Sequence, residues 1–167
     1  MYFNILIIVI MVQYLFSANS LLFNVKKKFV KNLKYPAISM SAKPSSSSIV
    51  NVLVPIANGS EEIESVSIID TLVRGGAKVT VASVETSNQV TCSRGVKIVA
   101  DTLISECHNQ NWDMIAIPGG MPGAERLRDS DDLSKLLMNQ NKNKKYIAAM
   151  CASPAVVLAS KGILDGC

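Results

Sequence analysis

The sequence predicts an α/β fold with a mostly parallel sheet covered on both faces. From residue 49 onward, short runs of β-branched apolar residues alternate with segments of helical periodicity. The runs are apolar at successive rather than alternate positions, which suits strands buried on both sides. Turns rich in Gly, Pro, Asn and Ser separate the two kinds of segment. With 167 residues and 49% apolar side chains, the chain supplies one domain with an ample core, and an extension.

The extension is residues 1–48. ILIIVIMV at residues 5–12, followed by YLFSANS with small residues around Ala18 and Ser20, has the form of a signal-peptide apolar region and cleavage site. It is short for a membrane span, so no stable span is expected in the mature form. LLFNVKKKFVKNLKYPAISMSAKPSSSS follows, rich in Lys and Ser and free of acids, the composition of an organelle transit peptide. Together the two segments read as a two-part address to a plastid-type organelle bounded by extra membranes. A start at Met40 would instead give a cytoplasmic protein, and a simple secretory signal, a membrane anchor or mitochondrial import stay open. KPSSSS at residues 43–48 reads as a flexible linker, which places the domain at residues 49–167.

Within the domain, residues 49–57 (IVNVLVPIA) form the first expected strand. NGSEEIE comes next: Asn58 and Gly59 make a turn, Ser60 stands where an N-cap belongs, and the acids suit a helix N-terminus. Ile63, Val66, Ile69, Asp70 and Val73 share one helical face, and Gly75-Gly76 allows a left-handed exit. KVTVASV at residues 78–84 is the second strand. Residues 89–92 and 96–100, separated by SRG, read as a hairpin or a short pair of strands. DMIAI at residues 113–117 is a buried strand broken by Pro118-Gly119-Gly120. Residues 131–141 read as a helix, residues 146–150 (YIAAM) as a strand, and residues 153–160 as a helix before Gly162. In parallel sheets, reactive and binding groups collect at the carboxyl ends of the strands, which brings NGSEEIE, PGGMPGAE and MCASP together.

Charge narrows the function classes. The first 60 residues hold six lysines and no acid, whereas residues 51–167 hold eleven Lys/Arg against thirteen Asp/Glu. The net +4 therefore belongs to the extension, and a mildly acidic body argues against nucleic acid as a partner. Cys92, Cys107, Cys151 and Cys167 are widely spaced, with no CxxC pair and only His108 as a histidine ligand. That pattern speaks against a structural metal site or a disulfide framework and for free thiols in a reducing compartment.

Cys151 ends the strand YIAAM and begins the next helix, with Ala149, Ala152 and Ser153 beside it. Small neighbours suit a sharp strand-to-helix turn that holds a nucleophile in a strained backbone. Unpaired N–H groups at the helix start would favour thiolate over thiol. The competing reading is a small buried hydrophobe, the role of most free cysteines. In PGGMPG, the N–H of Gly120 would combine with that of Ala152 into an oxyanion hole; a tight loop that needs glycine is the plainer alternative. No GKS or GKT follows, so the loop is not a phosphate cradle. Glu61 and Glu62 read as solvated first-turn residues. Glu64, one position past Ile63 on the sheet-facing side, would point to the strand ends and donate a hydrogen bond to sulfur or shuttle a proton.

NGSEEIE, CSRG, IPGGMPGAERLRDS and YIAAMCASPAVVLA, in that order, closely resemble the ThiJ/PfpI superfamily, in its branch around the Parkinson-disease-associated protein deglycase (DJ-one-like), over about residues 49–165. The resemblance implies a flavodoxin-like (Rossmann-like) three-layer sandwich of the class I glutamine amidotransferase type, usually a homodimer. It implies Cys151 as nucleophile and oxidation-sensing thiol, Glu64 as its protonated partner, and Gly120 with Ala152 as the oxyanion site. Arg74 and Arg94 match arginines near the family's pocket and dimer contact, against the alternative of ordinary exposed arginines. The implied activity needs no cofactor and no metal. It is that of a glyoxalase or protein deglycase acting on methylglyoxal, glyoxal or glycated amines, with oxidation of the same thiol to a sulfinate as a stress sensor.

The pattern departs after LDG, where family members continue with a strand carrying a histidine near the cysteine, a GPG loop and a C-terminal helix. Here no histidine follows Cys151, and His108 matches no catalytic position. C-terminal truncation is the expectation, with an incomplete site and an exposed sheet face. A non-catalytic redox-regulated chaperone or sensor, which needs only Cys151, is the principal alternative. A PfpI-type peptidase is disfavoured because Ala152 stands where histidine would follow the cysteine. A glutamine amidotransferase would need a downstream His and Glu pair, and nothing supports thiazole phosphate chemistry.

Overall fold

The computed structural model describes residues 5–8 and 49–165; the cleavage-site, transit and linker segments, Met40 and Cys167 lie outside the described residues. The strands are β1 (Ile5–Ile8), β2 (Asn51–Ile56), β3 (Lys78–Ser83), β4 (Gln89–Thr91), β5 (Lys97–Val99), β6 (Thr102–Leu103), β7 (Met114–Ile117) and β8 (Tyr146–Met150). The helices are α1 (Glu62–Arg74), α2 (Gly123–Asp129) and α3 (Asp131–Lys142). Six strands join in one sheet of order β1-β8-β7-β2-β3-β6, parallel at every pairing, while β4 and β5 form a separate antiparallel hairpin.

Each central strand feeds two cores. Val52, Val54 and Ile56 of β2 point to one face with Val81, Ala116, Val90 and Cys92, and helix α1 covers part of it through Ile68, Ile69 and Leu72. Leu53, Ile115, Ile117, Ile147 and Ala149 point to the other, against Leu127 of α2, Leu133 and Leu137 of α3, and Val157, Leu158 and Ile163. Full burial of each such Val, Leu or Ile contributes about 1.5–3 kcal/mol, and the two-sided burial explains the unbroken apolar runs. On the α1 side, an apolar groove of about 350 Å³ remains open along β7 and β8, lined by Ile68, Leu72, Met114, Ala116 and Ala148.

Several local expectations are corrected. The cap of α1 is Glu61, and the Ser60 hydroxyl instead accepts the N–H of Ala57 at 3.0 Å, tightening the turn before the helix. The face expected to carry Ile63, Val66, Ile69, Asp70 and Val73 is largely turned outward, with Ile63 65%, Val66 52% and Val73 54% exposed. Glu64, Ser65, Ile68 and Leu72 take the inward stripe, because the first turn is oriented by polar contacts and the apolar residues follow its phase. The helical exit falls at Gly76, with φ +86. Helix α2 was not foreseen, and the segment expected to be one helix over residues 153–160 is a π turn at Pro154–Leu158 followed by a 3-10 turn at Ala159–Lys161. Ile5–Ile8, in the signal-like segment, add a parallel strand along β8.

Ile115 is fully buried at the centre of β7. Ile115→Ala is expected to lower the unfolding free energy by about 2–5 kcal/mol, seen in urea as a shifted midpoint at unchanged slope.

Candidate active site

Three loops meet at the carboxyl ends of β2, β7 and β8. Cys151 follows β8 directly and holds φ +56, a left-handed conformation that costs a non-glycine residue on the order of 1–3 kcal/mol. The turn is tied down from the next residue but one: Ser153 is fully buried, and its hydroxyl donates to the carbonyl of Pro118 at 2.5 Å. That contact fastens the cysteine turn to the Gly-rich loop.

Glu64, only 8% exposed, extends from the first turn of α1 to the same point, where its Oε2 accepts the N–H of Gly119 at 2.7 Å. The carbonyl of Gly119 accepts the N–H of Glu61 at 3.0 Å, so the two peptide units flanking Gly119 both bond to the start of α1. A Cβ on Gly119 would lie 2.8 Å from Cβ of Cys151, 2.9 Å from N of Ala152 and 3.0 Å from Oε2 of Glu64, so the site closes only around glycine. Sequence reasoning had singled out Gly120 and passed over Gly119; the doublet in PGG was the available signal.

The N–H groups of Gly120 and Ala152 and the carboxyl of Glu64 all act on the Cys151 sulfur. The thiol nevertheless sits above its ordinary pKa. Burial of the sulfur is the largest cause, followed by its hydrogen bond to Glu64 and the negative charge there, and the two N–H groups offset these only in part. The expectation that the helix start would favour thiolate is thus outweighed, first by burial of the sulfur and then by Glu64. Cys151 is the exposed cysteine among the described residues; Cys92 and Cys107 are buried and free. Burial, reinforced by Glu106, pushes the Cys107 thiol to about 11, and burial with Glu62 and Glu61 raises that of Cys92.

Glu61 and Glu62 are not simple solvated residues. Glu62 is 7% exposed, and its carboxylate accepts the Ser93 hydroxyl and the Arg94 N–H, each at 2.8 Å, while Ser93 also lies 2.6 Å from Oε2 of Glu61. Burial raises the Glu62 pKa, but hydrogen bonds from its own N–H, Ser93 and Arg94 more than compensate and leave it lowered. These contacts anchor the β4–β5 turn to the start of α1. Arg94 takes part through its backbone, its guanidinium reaching only the Ser93 carbonyl at 3.3 Å. Arg74 pairs with Asp70 at 2.7 Å on the exposed end of α1, and His108 pairs with Asp132 at 2.9 Å. Among the described residues no group of three or more His, Cys, Asp or Glu is arranged to hold a metal. What the loops bring together is a nucleophile, two N–H donors and one carboxyl.

Residues 50–167 match the model of the DJ-1/PfpI family. Among curated relatives, Protein DJ-1 homolog A of Arabidopsis thaliana is 45% identical over 115 residues, covering 69% of this chain and 29% of that protein. A Caenorhabditis elegans protein named glutathione-independent glyoxalase DJR-1.2 is 40% identical over 108 residues, 65% of this chain and 56% of its own. The solved structure of oxidized Toxoplasma gondii DJ-1 superposes with a TM-score of 0.69 at 61% identity, covering 70% of this chain and 64% of that one. The chain therefore spans less than two thirds of each of these relatives. The similarity identifies the parallel sheet and its helices as the flavodoxin-like α/β arrangement.

The carboxylate of Glu64 raises the Cys151 pKa, so removing its charge must lower it. Glu64→Gln is expected to move the pH profile of Cys151 alkylation by iodoacetamide toward acid; an unmoved or alkaline-shifted profile contradicts this account.

Proposed function

Because the chain belongs to the DJ-1/PfpI family, we propose that it is a cysteine-dependent, cofactor-independent glyoxalase or protein deglycase acting on methylglyoxal, glyoxal or their adducts on amines. The observation that carries this reading is the convergence of the Cys151 sulfur, the N–H groups of Gly120 and Ala152, and the Glu64 carboxyl on one point open to solvent. The C. elegans relative named as a glutathione-independent glyoxalase supports the same class of reaction.

In this mechanism Cys151 gives up its proton to Glu64, and the thiolate adds to the aldehyde carbon of methylglyoxal, forming a C–S bond. The charge that develops on the aldehyde oxygen is met by the N–H groups of Gly120 and Ala152 until Glu64 passes the proton from Cys151 to it, which completes the hemithioacetal and leaves Glu64 a carboxylate. Glu64 then removes the proton from the former aldehyde carbon, giving an enediol, and a proton returned to the neighbouring carbon leaves a thioester. Water cleaves the thioester, releasing lactate and restoring the thiol. Oxidation and reduction balance within the substrate, so no external redox partner enters.

A second reading, redox sensing with or without chaperone activity, is favoured by the exposure of Cys151 beside two N–H donors suited to a sulfinate. A homodimer is proposed as well. It is supported by the outward apolar residues Ile63, Val66 and Val73 of α1 and by Val96 and Val99 of the adjoining hairpin, 48% and 69% exposed. No helix among the described residues is long and apolar enough to cross a membrane. The composition of residues 1–48 supports delivery to a plastid-type organelle, with cytoplasmic or secretory placement as the competing outcomes of fractionation.

Methylglyoxal consumption, followed by the appearance of lactate in proton NMR, is expected to fall about 100-fold or more in Cys151→Ala and in Glu64→Gln. Full activity in both variants would overturn the enzymatic reading; peroxide-dependent protection of client proteins without turnover would favour the second. Ile63→Glu is expected to shift the sedimentation coefficient from dimer to monomer.

A further inference from the structure

Glu85 lies beyond the end of β3, apart from the reacting groups, yet its carboxylate is mostly withdrawn from water at 16% exposure. Its Oε1 accepts the backbone N–H of Asn58 at 2.9 Å, and Oε2 takes Nη1 of Arg126 at 3.1 Å. Asn58 opens the turn that leads into α1 and Glu64; Arg126 belongs to α2, which continues from the Gly-rich loop. Glu85 is itself held, its N–H donating to the hydroxyl of the fully buried Ser83 at 3.1 Å.

The two loops that Glu85 joins touch backbone to backbone. A Cβ on Gly59 would fall 2.6 Å from Cδ of Pro122, one on Gly120 2.4 Å from N of Glu61, and one on Gly123 2.3 Å from N of Ser60. No side chain fits between the loops to take up slack, so a group that grips both from outside adds to the Gly119 hydrogen bonds in fixing their spacing. An exposed ion pair grips weakly, but Glu85 is mostly buried and satisfies a backbone N–H that nothing else is seen to take.

We propose that Glu85 is a positioning residue for the Cys151 site, a carboxylate clamp that fixes the turn at residues 58–61 against the Gly-rich loop and thereby sets the approach of Glu64 to the thiol. The proposal rests on the reading that Cys151 and Glu64 act together. Facing the sulfur, α1 contributes Glu64, while the Gly-rich loop and the cysteine turn contribute N–H groups. Loosening the seam would let water reach the sulfur and draw the carboxylate away, and both effects favour thiolate.

The test is the pH profile of Cys151 alkylation by iodoacetamide in the full chain, with the modified site located by mass spectrometry. Glu85→Ala is expected to move the profile toward acid and raise the neutral-pH rate about threefold or more. Glu85→Gln, which still accepts from Asn58, is expected to fall between Glu85→Ala and the parent. An alanine profile that superimposes on the parent overturns the clamp. Should Glu85→Ala not fold, Arg126→Met decides: a shift in the same direction supports the proposal, and an unmoved profile overturns it. Alkylation requires no dicarbonyl turnover, so a shifted profile in a protein that leaves methylglyoxal untouched retires the enzymatic reading and keeps the clamp.

Discussion

The buried hydrogen bond from the N–H of Gly119 to the carboxylate of Glu64 ties the first turn of α1 to the loop after β7, and much of the domain's local order follows from it. Once Glu64 points inward, the phase of α1 is set. Ser65, Ile68 and Leu72 follow it toward the sheet, and Ile63, Val66 and Val73 are carried to the outside. The carbonyl of the same residue accepts the N–H of Glu61, so the Gly-rich loop cannot shift without unseating the helix start. Cys151 meets this junction from a third direction, in a backbone conformation that a non-glycine residue adopts only when its surroundings require it.

The electrostatics of the junction are balanced rather than one-sided. Two backbone N–H groups pull the sulfur toward thiolate while burial and a carboxylate hold it as thiol. The other described thiols lack that balance: Cys92 and Cys107 are buried, shifted upward and met by no comparable N–H pair.

Much of this was legible in the residues. The strand at residues 146–150 has the bounds its composition suggests, the helix expected over residues 131–141 is α3, Asp131–Lys142, and the hairpin pairs Gln89 with Val99 across SRG. These features depend on local propensity and burial, which a sequence displays. The outward face of α1 and the burial of Glu62 depend on partners about 30 to 55 residues away, Ser93 and Gly119 among them, and local periodicity holds no trace of those. Cys151, Glu64, Gly120 and Ala152 could be singled out because turn chemistry marks them and a family pattern orders them. Gly119 showed only as half of the PGG doublet, and Ser153 and Glu85 could not be singled out, since their importance lies in contacts between loops distant in sequence. Family membership is secure over residues 50–167, and the chemistry proposed for the site stands on the geometry of those few groups.

The glycine seam between the turn at residues 58–61 and the Gly-rich loop bears on how such a sequence can change over time. Gly59, Gly120 and Gly123 each face backbone or a rigid ring on the opposing loop, so a side chain added to any one has nowhere to rotate. A compensating change would have to move a whole loop, and with it Glu64 and the amides at the sulfur. Single-step mutational paths through the seam are therefore closed, and lineages carrying this site must diversify around it, at surface positions such as Met138.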